Sequence, residues 1–272
     1  MRNFYNPSAV FQRFGGSDAA RLAQLHEAAA APDVQVVIAL RGGYGMSRLL
    51  PELDLAALGA SGKLFVGHSD ITALHMGLLA HGGAISFAGP MICDDFSRVE
   101  ASEFTLQNFW QCLTSATHAL TFEGEGNPAV DVSGTLWGGN LTMLAHLVGT
   151  PYMPRVEDGI LFIEDVNEHP YRVERMLLQL FHAGLLNQQA IVLGDFSNYR
   201  LTEYDNGYDF AAMLGYLRER LGVPILTGLP FGHTRHKATL AVGSRARLTS
   251  DGASASLVMS GYPSLANLTH GD

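Results

Sequence analysis

Cysteine is scarce in this chain of 272 residues, which contains two. Cys93 and Cys112 are not arranged as a C-x-x-C motif. This usage argues against a disulfide framework and fits a reducing compartment. We therefore interpret both as ordinary buried thiols.

Basic charge and long apolar runs are also lacking. Lys and Arg number 17 against 26 Asp and Glu, which gives a formal net charge of −9, and no basic run occurs. A surface that follows nucleic-acid phosphates is therefore not expected. No window reaches the ~18 apolar residues of a membrane span, and residues 1–7 contain no apolar leader segment. We expect a soluble, cytoplasmic protein with no nucleic-acid or membrane partner.

Motifs for metals and phosphate cofactors are missing as well. No two histidines stand four residues apart with a carboxylate between them, so no zinc site is predicted. The glycine-rich loop at 41–45 has neither the G-x-G-x-x-G spacing nor the Walker Lys-Ser/Thr. We predict no metal and no cofactor.

What the chain does contain is an alternation of strand and helix patterns. Strands are predicted at 34–40, 64–66, 120–122, 129–133, 159–165, 190–193 and within 238–259, and helices at 19–31, 71–81, 101–113, 140–147 and 172–183. Such alternation is typical of an α/β fold with a parallel sheet covered on both faces. We assign residues 1–122 to a doubly wound N-terminal domain and 123–133 to a connection. Residues 134–272 form a C-terminal α/β domain whose short strands are expected in a barrel-like sheet.

The most informative segment runs from Leu64 to Thr72. An apolar run ends at Gly67-His-Ser69, and a helical pattern follows at once. Such an elbow presents a serine hydroxyl above the sheet edge and directs the first amides of the helix at the space beside it. The second glycine of the usual motif is missing, and Ser69-Asp70 is also an ordinary helix cap. Ser69 is therefore a candidate nucleophile, with the cap as the alternative.

A serine nucleophile needs a base and an orienting acid. Glu164 ends a buried-strand pattern, and His233 follows the apolar run at 224–229 and its Gly and Pro residues. Both would be delivered to the edge of a sheet. Glu168 is the rival for the acid, and we prefer Glu164 because a strand end fixes a side chain better than a loop does.

Several segments together resemble the murein LD-carboxypeptidase family of serine peptidases. They are RGGYG at 41–45, GHSD at 67–70, Gly89-Pro-Met91, GTLWGGNL at 134–141, Gly149-Thr-Pro151, the segment 160–175 and FGH at 231–233. The same family contains microcin-immunity peptidases, but Trp137 and EHPYR at 168–172 resemble the carboxypeptidase branch.

The resemblance implies a Ser-His-Glu triad of Ser69, His233 and Glu164, which agrees with the candidates chosen from the residues. It also implies an oxyanion hole formed by the amides of Asp70 and of a glycine in the 41–45 loop, for which we choose Gly43; a tight structural turn is the alternative for that loop. The substrate implied is a cytoplasmic muropeptide that loses its terminal D-Ala during cell-wall recycling, and a homodimer is favoured. Candidate substrate contacts are Tyr44, Asn140, Glu168 and Arg172, although Asn140 could instead cap a helix and Glu168 could be a first-turn charge.

Alternatives remain at this point. The chain could be a microcin-immunity-like peptidase, an amidase acting on another small substrate, or a catalytically weak muropeptide-binding protein. The last follows from the N-terminus, because members of the family carry a strand, a turn and a helix before the segment at 11–17. We therefore expect an N-terminal domain without its first strand-helix unit.

Overall fold

Two sheets organise the chain, and the computed structural model describes residues 1–268. The smaller sheet has the order β1-β2-β3-β9, in which β1 to β3 are parallel and β9 is antiparallel to β3. Its strands are β1 (Val36–Ile38), β2 (Leu64–Gly67), β3 (Ser86–Ala88) and β9 (Leu240–Val242).

The larger sheet has seven strands in the order β4-β11-β10-β5-β6-β7-β8. The pairs from β4 to β5 are antiparallel, and those from β5 to β8 are parallel. Its strands are β4 (Thr117–Glu123), β5 (Val130–Asn140), β6 (Gly159–Val166), β7 (Gln188–Ser197), β8 (Ile225–Leu226), β10 (Arg245–Ser250) and β11 (Ser254–Ser260).

Nine α-helices are found in residues 1–268, and several of them have recognisable caps. They are α1 (Asp18–Ala30), α2 (Met46–Leu49), α3 (Leu55–Ala60), α4 (Thr72–Gly82), α5 (Glu103–Thr114), α6 (Leu141–Leu147), α7 (Pro170–His182), α8 (Phe210–Leu221) and α9 (Leu265–Leu268). Ser17 caps α1 by accepting from the amide of Ala20, and α4 ends at Gly83 in the left-handed conformation. Both are the residue types that helix ends favour.

The core lies where both sheets meet their helices. All four residues of β2 are buried, and α4 is buried from Thr72 to Leu78. Trp137 is 0% exposed, and its indole N–H donates to Gln188 Oε1 over 2.9 Å. Its only polar atom is thus satisfied inside the core, which removes the cost of burying it unpaired.

The α/β class with parallel strands is confirmed, whereas the barrel-like closure of the C-terminal strands is not found in residues 1–268. The seven-stranded sheet is open and ends at β4 and β8. The short strands β10 and β11 extend it antiparallel to β5 and β4 instead of closing it.

The two sheets also exchange chain segments. β4, expected in the N-terminal domain, pairs with β11, and β9, from the C-terminal part, pairs with β3. The domain division at 122 and 134 stays a prediction. Within residues 1–268, no helix is both long and apolar enough to cross a membrane.

Candidate active site

Ser69 stands on a strained turn between β2 and α4. Its φ is +63°, in the left-handed region that residues other than glycine rarely adopt, and the short turn at Ser69–Ile71 leads into α4. A Cβ on Gly67 would lie 3.0 Å from the side chains of both Ala39 and Ile71, so a small residue is needed before the turn. This is the elbow that the sequence predicted, and strain of this kind is common at functional sites.

A chain of hydrogen bonds joins Ser69 to two side chains from the other half of the molecule. His233 Nε2 lies 3.0 Å from Ser69 Oγ, and His233 Nδ1 lies 2.7 Å from Glu164 Oε2. Glu164 is 0% exposed. Because a carboxylate only accepts, Nδ1 carries the proton and Nε2 has a lone pair for the serine hydroxyl. The three predicted residues are therefore together in the geometry of a nucleophile, a base and an orienting acid.

Glycine lets the base approach the acid. Glu164 lies in the last part of β6, and His233 follows the loop after β8. Gly232 has a φ of +143°, and a Cβ there would lie 2.9 Å from Asp195 Cβ and 3.3 Å from Glu164 Oε2. A larger residue at 232 would push the imidazole away from Glu164.

The electrostatic surroundings raise the pKa of His233. Burial lowers it, but the hydrogen bond and charge of Glu164 and the charge of Asp165 outweigh that effect, and Lys237 lowers it in part. Lys237 is itself buried and its Nζ lies 2.5 Å from Asp95 Oδ1. The imidazolium that forms during proton transfer is thus stabilised by two neighbouring carboxylates.

Two further histidines beside the elbow are held neutral. His75 bridges Ser86 Oγ at 2.8 Å and the Gly67 carbonyl at 2.9 Å, and burial lowers its pKa to about 4. His68 Nδ1 lies 3.0 Å from the carbonyl of Gly89, and its ring packs edge-on to His233 with 5.3 Å between centroids. Burial, followed by the charge of Lys237, holds the pKa of His68 well below its ordinary value. Both imidazoles therefore position the elbow as uncharged groups.

The glycine-rich loop lies directly against the nucleophile. A Cβ on Gly42 would lie 2.7 Å from Ser69 Cβ and 2.9 Å from its Oγ, so only glycine fits there. The loop is tied to the elbow by Asp70, whose Oδ2 accepts from the amide of Met46 over 2.8 Å. Burial raises the pKa of Asp70. This side-chain anchor was not predicted from the sequence, because its two residues are 24 positions apart and no local pattern joins them. Gly43 as an oxyanion donor stays a prediction.

Asn140 is confirmed as a helix cap, because its Oδ1 accepts from the amide of Met143 over 3.1 Å. Its amide nitrogen donates to both Glu164 Oε1 at 3.1 Å and Asp165 Oδ1 at 2.9 Å. A substrate carboxylate would have to displace one of these partners. The hydrogen bond that Asp165 accepts from Asn140 was not predicted from the sequence.

The remaining predicted substrate contacts lie nearer the surface. Arg172 Nη1 is 3.5 Å from Glu168 Oε2, and their side chains are 48% and 21% exposed. Tyr44 is 52% exposed, and its ring lies 6.0 Å from the guanidinium of Arg13. Their contacts to substrate stay predictions. Since His233 bonds to Glu164, the geometry favours Glu164 over Glu168 as the acid.

No group of three or more His, Cys, Asp or Glu side chains that could hold a metal ion occurs among residues 1–268. The side chains around Ser69 have the arrangement of nucleophilic acyl transfer. A hydroxyl, an imidazole and a buried carboxylate are aligned, with a glycine loop packed beside the hydroxyl.

Comparison with known proteins gives the same result. Residues 2–89 match the family model of the LD-carboxypeptidase N-terminal domain, and residues 133–248 match that of the LD-carboxypeptidase C-terminal domain. The chain is 33% identical over 250 residues to the murein tetrapeptide carboxypeptidase of Pseudomonas aeruginosa, an alignment that covers 88% of this chain and 80% of that one.

Solved structures agree in fold. The muramoyltetrapeptide carboxypeptidase from Oxalobacter formigenes superposes with a TM-score of 0.94 at 56% identity, covering 97% of this chain and 89% of that one. The microcin C7 self-immunity protein MccF in its wild-type apo state gives 0.80 at 26% identity, covering 94% and 85%. From the two domain matches and these similarities, the chain belongs to the LD-carboxypeptidase family.

Proposed function

We propose that this protein is a serine-type LD-carboxypeptidase that releases the terminal D-Ala from a murein tetrapeptide through an acyl-enzyme on Ser69. The observation that carries the proposal is the continuous hydrogen-bond chain from Ser69 through His233 to Glu164. The family and the named relatives supply the substrate class.

The first half of the reaction forms the acyl-enzyme. His233 Nε2 takes the proton of Ser69 as Oγ attacks the carbonyl carbon of the bond before D-Ala. Glu164 keeps the proton of the imidazole on Nδ1 and stabilises the imidazolium. The oxyanion is bound by the amide of Asp70 and an amide of the 41–45 loop, and each such donor contributes roughly 3 to 4 kcal/mol in other enzymes.

Departure of D-Ala completes the acyl-enzyme, and hydrolysis then restores the free enzyme. The imidazolium of His233 protonates the leaving nitrogen, so D-Ala departs as a free amino acid. The neutral imidazole then takes a proton from water as the water oxygen attacks the ester on Ser69. The resulting imidazolium returns that proton to Ser69 Oγ as the ester C–O bond breaks, which releases the shortened peptide and regenerates the hydroxyl. Glu168, Arg172 and Tyr44 are the residues we expect to contact the peptide.

The cellular setting belongs to the same proposal. We place the protein in the cytoplasm, in the recycling of cell-wall peptides, as a homodimer. Both cysteines are free thiols, which is typical of a reducing compartment; Cys112 is buried as expected, whereas Cys93 is exposed, so its interpretation as a buried thiol was wrong. Light scattering after size-exclusion chromatography tests the dimer, and a monomeric mass at working concentrations would reject it.

The decisive experiment is mass spectrometry of a digest of L-Ala-D-Glu-diaminopimelate-D-Ala. Loss of one D-Ala is expected, together with labelling of Ser69 by a fluorophosphonate. The Ser69→Ala variant is the matched control for both readouts. An intact tetrapeptide with the folded protein, or cleavage at another bond, would reject the proposal.

The likeness to MccF supports a second candidate, a peptidase or amidase that acts on another small acylated compound. Structures of MccF include a complex with aspartyl sulfamoyl adenosine. The present protein should therefore be incubated with aspartyl sulfamoyl adenosine as an alternative substrate. Turnover of it with no release of D-Ala from the tetrapeptide would favour this candidate.

A further inference from the structure

We propose that Asn140 is a positioning residue. It holds the carboxylate of Glu164 in place for the hydrogen bond to His233, and it links the strand that carries this acid to the helix that follows the nucleophile. The inference rests on the proposed function and assigns a new role within it. It is carried by a hydrogen-bond network that uses the backbone N–H and both polar atoms of the Asn140 side chain.

The orientation of the Asn140 side chain follows from its partners. Its Oδ1 accepts from the amide of Met143, and its Nδ2 donates to the carboxylates of Glu164 and Asp165. The flipped amide would place an oxygen against two carboxylates and a nitrogen against an N–H, so it is excluded. Both amide hydrogens are therefore committed to the two acids.

Glu164 is thereby fixed at both oxygens. Oε1 accepts from Asn140 over 3.1 Å, and Oε2 accepts from His233 over 2.7 Å. A buried carboxylate with one oxygen free could rotate away from the imidazole. Asn140 prevents that rotation and supplies a donor that offsets the desolvation of the acid.

Asp165 in turn anchors Asn140. The carboxylate of Asp165 accepts from the Val166 amide at 2.9 Å and from the amide and hydroxyl of Thr142 at 2.8 and 2.7 Å, besides Asn140. Asp165 is 4% exposed. With four donors around it, this carboxylate is a rigid support for the amide between it and Glu164.

The backbone of Asn140 extends the network to the nucleophile. Its N–H donates to Thr72 Oγ1 over 3.0 Å, and Thr72 is the first residue of α4, three positions after Ser69. A Cβ on Gly139 would lie 2.5 Å from Thr72 Oγ1, so glycine is required for this approach. Asn140 thus contacts both Thr72, which lies just after the nucleophile, and Glu164 and Asp165 on the strand of the acid.

The test is the steady-state kinetics of Asn140→Ser on the tetrapeptide. Serine keeps a helix-capping hydroxyl but cannot reach both carboxylates. We expect kcat to fall about 10²-fold, the cost typical of a small misplacement, while KM stays near its original value. A rise in KM with kcat unchanged would instead make Asn140 a substrate contact and overturn the proposal, as would unchanged kinetics.

A second variant keeps the test valid if Asn140→Ser does not fold. Thr72→Val removes the acceptor for the Asn140 amide without touching either carboxylate, and we expect a smaller loss of kcat with KM unchanged. Full activity of a folded Thr72→Val variant would show that Asn140 does not couple the acid to the helix that follows the nucleophile, and would overturn that part of the proposal. An inactive wild-type protein would instead mean that the proposed function has failed, so the two failures are distinguishable.

A pH profile separates positioning from a merely structural role. The charged and titratable groups that face His233 are Glu164, Asp165, Lys237 and the neutral His68. Asp165→Asn removes one of the two negative charges, so the acid limb of kcat/KM should move to lower pH while kcat falls. Asp131→Asn is the control, because it lies on β5 nine residues before Asn140, about 30 Å along the strand. An acid limb that does not move in a folded Asp165→Asn variant would contradict the proposal.

Discussion

The two sheet edges that meet at the site hold their functional groups by different means. The nucleophile is held by the backbone: Ser69 has a positive φ, and Gly42 and Gly67 leave no room for side chains around it. The acid is held by side chains, since Glu164 is buried and both its oxygens accept hydrogen bonds. A nucleophile must stay open to the substrate and so has few side-chain neighbours, whereas a buried carboxylate requires them.

The largest effects are expected for Ser69 and His233, the two residues that join the two sheet edges by a hydrogen bond. Ser69→Ala and His233→Ala should each lower kcat/KM by about 10⁴- to 10⁶-fold, because the members of a triad act as a unit. Circular dichroism and thermal unfolding check that each variant is folded. A near-native rate for either one would refute the triad.

The next variant changes only the acid, Glu164. Glu164→Gln should lower kcat far more than Glu168→Gln, by about 10³- to 10⁴-fold, because an amide in place of the carboxylate no longer stabilises the imidazolium. The pKa of His233 is raised by Glu164. The residual activity of Glu164→Gln should therefore show its acid limb at lower pH. Equal losses for the two variants, measured side by side, would return the assignment to Glu168.

The two edges also differ in how well the sequence predicted them. The elbow at Ser69 follows from a local pattern, an apolar run that stops at Gly67, and it was predicted correctly. The strand that carries Asn140 was predicted at 129–133 only, whereas β5 runs from Val130 to Asn140. No strand was predicted at 134–139, the stretch that contains Gly134 and Gly138.

The physical reason why β5 was predicted too short lies in the close approach of the neighbouring strand. A Cβ on Gly134 would lie 2.2 Å from the carbonyl oxygen of Asp158, and one on Gly138 would lie 1.9 Å from that of Phe162. Glycine in β5 therefore permits close approach of another backbone. Such contacts join residues more than twenty positions apart, so no local pattern reports them. The same holds for the hydrogen bonds between Asn140 and Asp165 and for the ion pair of Asp95 and Lys237.

A smaller effect tests the steric control of the nucleophile edge. Gly42→Ala should lower kcat about 10²-fold, because the new Cβ would displace Ser69 or the loop that packs on it. Gly82→Ala is the matched control, since a Cβ there meets nothing within 4 Å. Kinetics and fluorophosphonate labelling rates are the readouts. If Gly42→Ala were labelled and turned over like the parent, Gly42 would not constrain Ser69.

The smallest effect concerns stability. The pKa of His75 is lowered to about 4 by burial. Above pH 6.5 the imidazole is neutral in both states. As pH falls, the unfolded chain takes up the proton first, so stability is lost between about pH 6.5 and pH 4, by up to about 3 kcal/mol. His233 has the opposite sign, because its raised pKa stabilises the fold at low pH and that contribution is lost as pH rises.

His75→Gln should therefore flatten the acid side of the stability curve, even though it lowers the free energy of unfolding at neutral pH by breaking the bridge between Ser86 and Gly67. Urea unfolding at several pH values measures this slope. His182→Gln on α7 is the exposed control and should keep the parent slope. If His75→Gln kept the parent slope too, the acid loss would have to come from other groups. The neutral imidazole would then fix the geometry of the elbow without making its stability depend on pH.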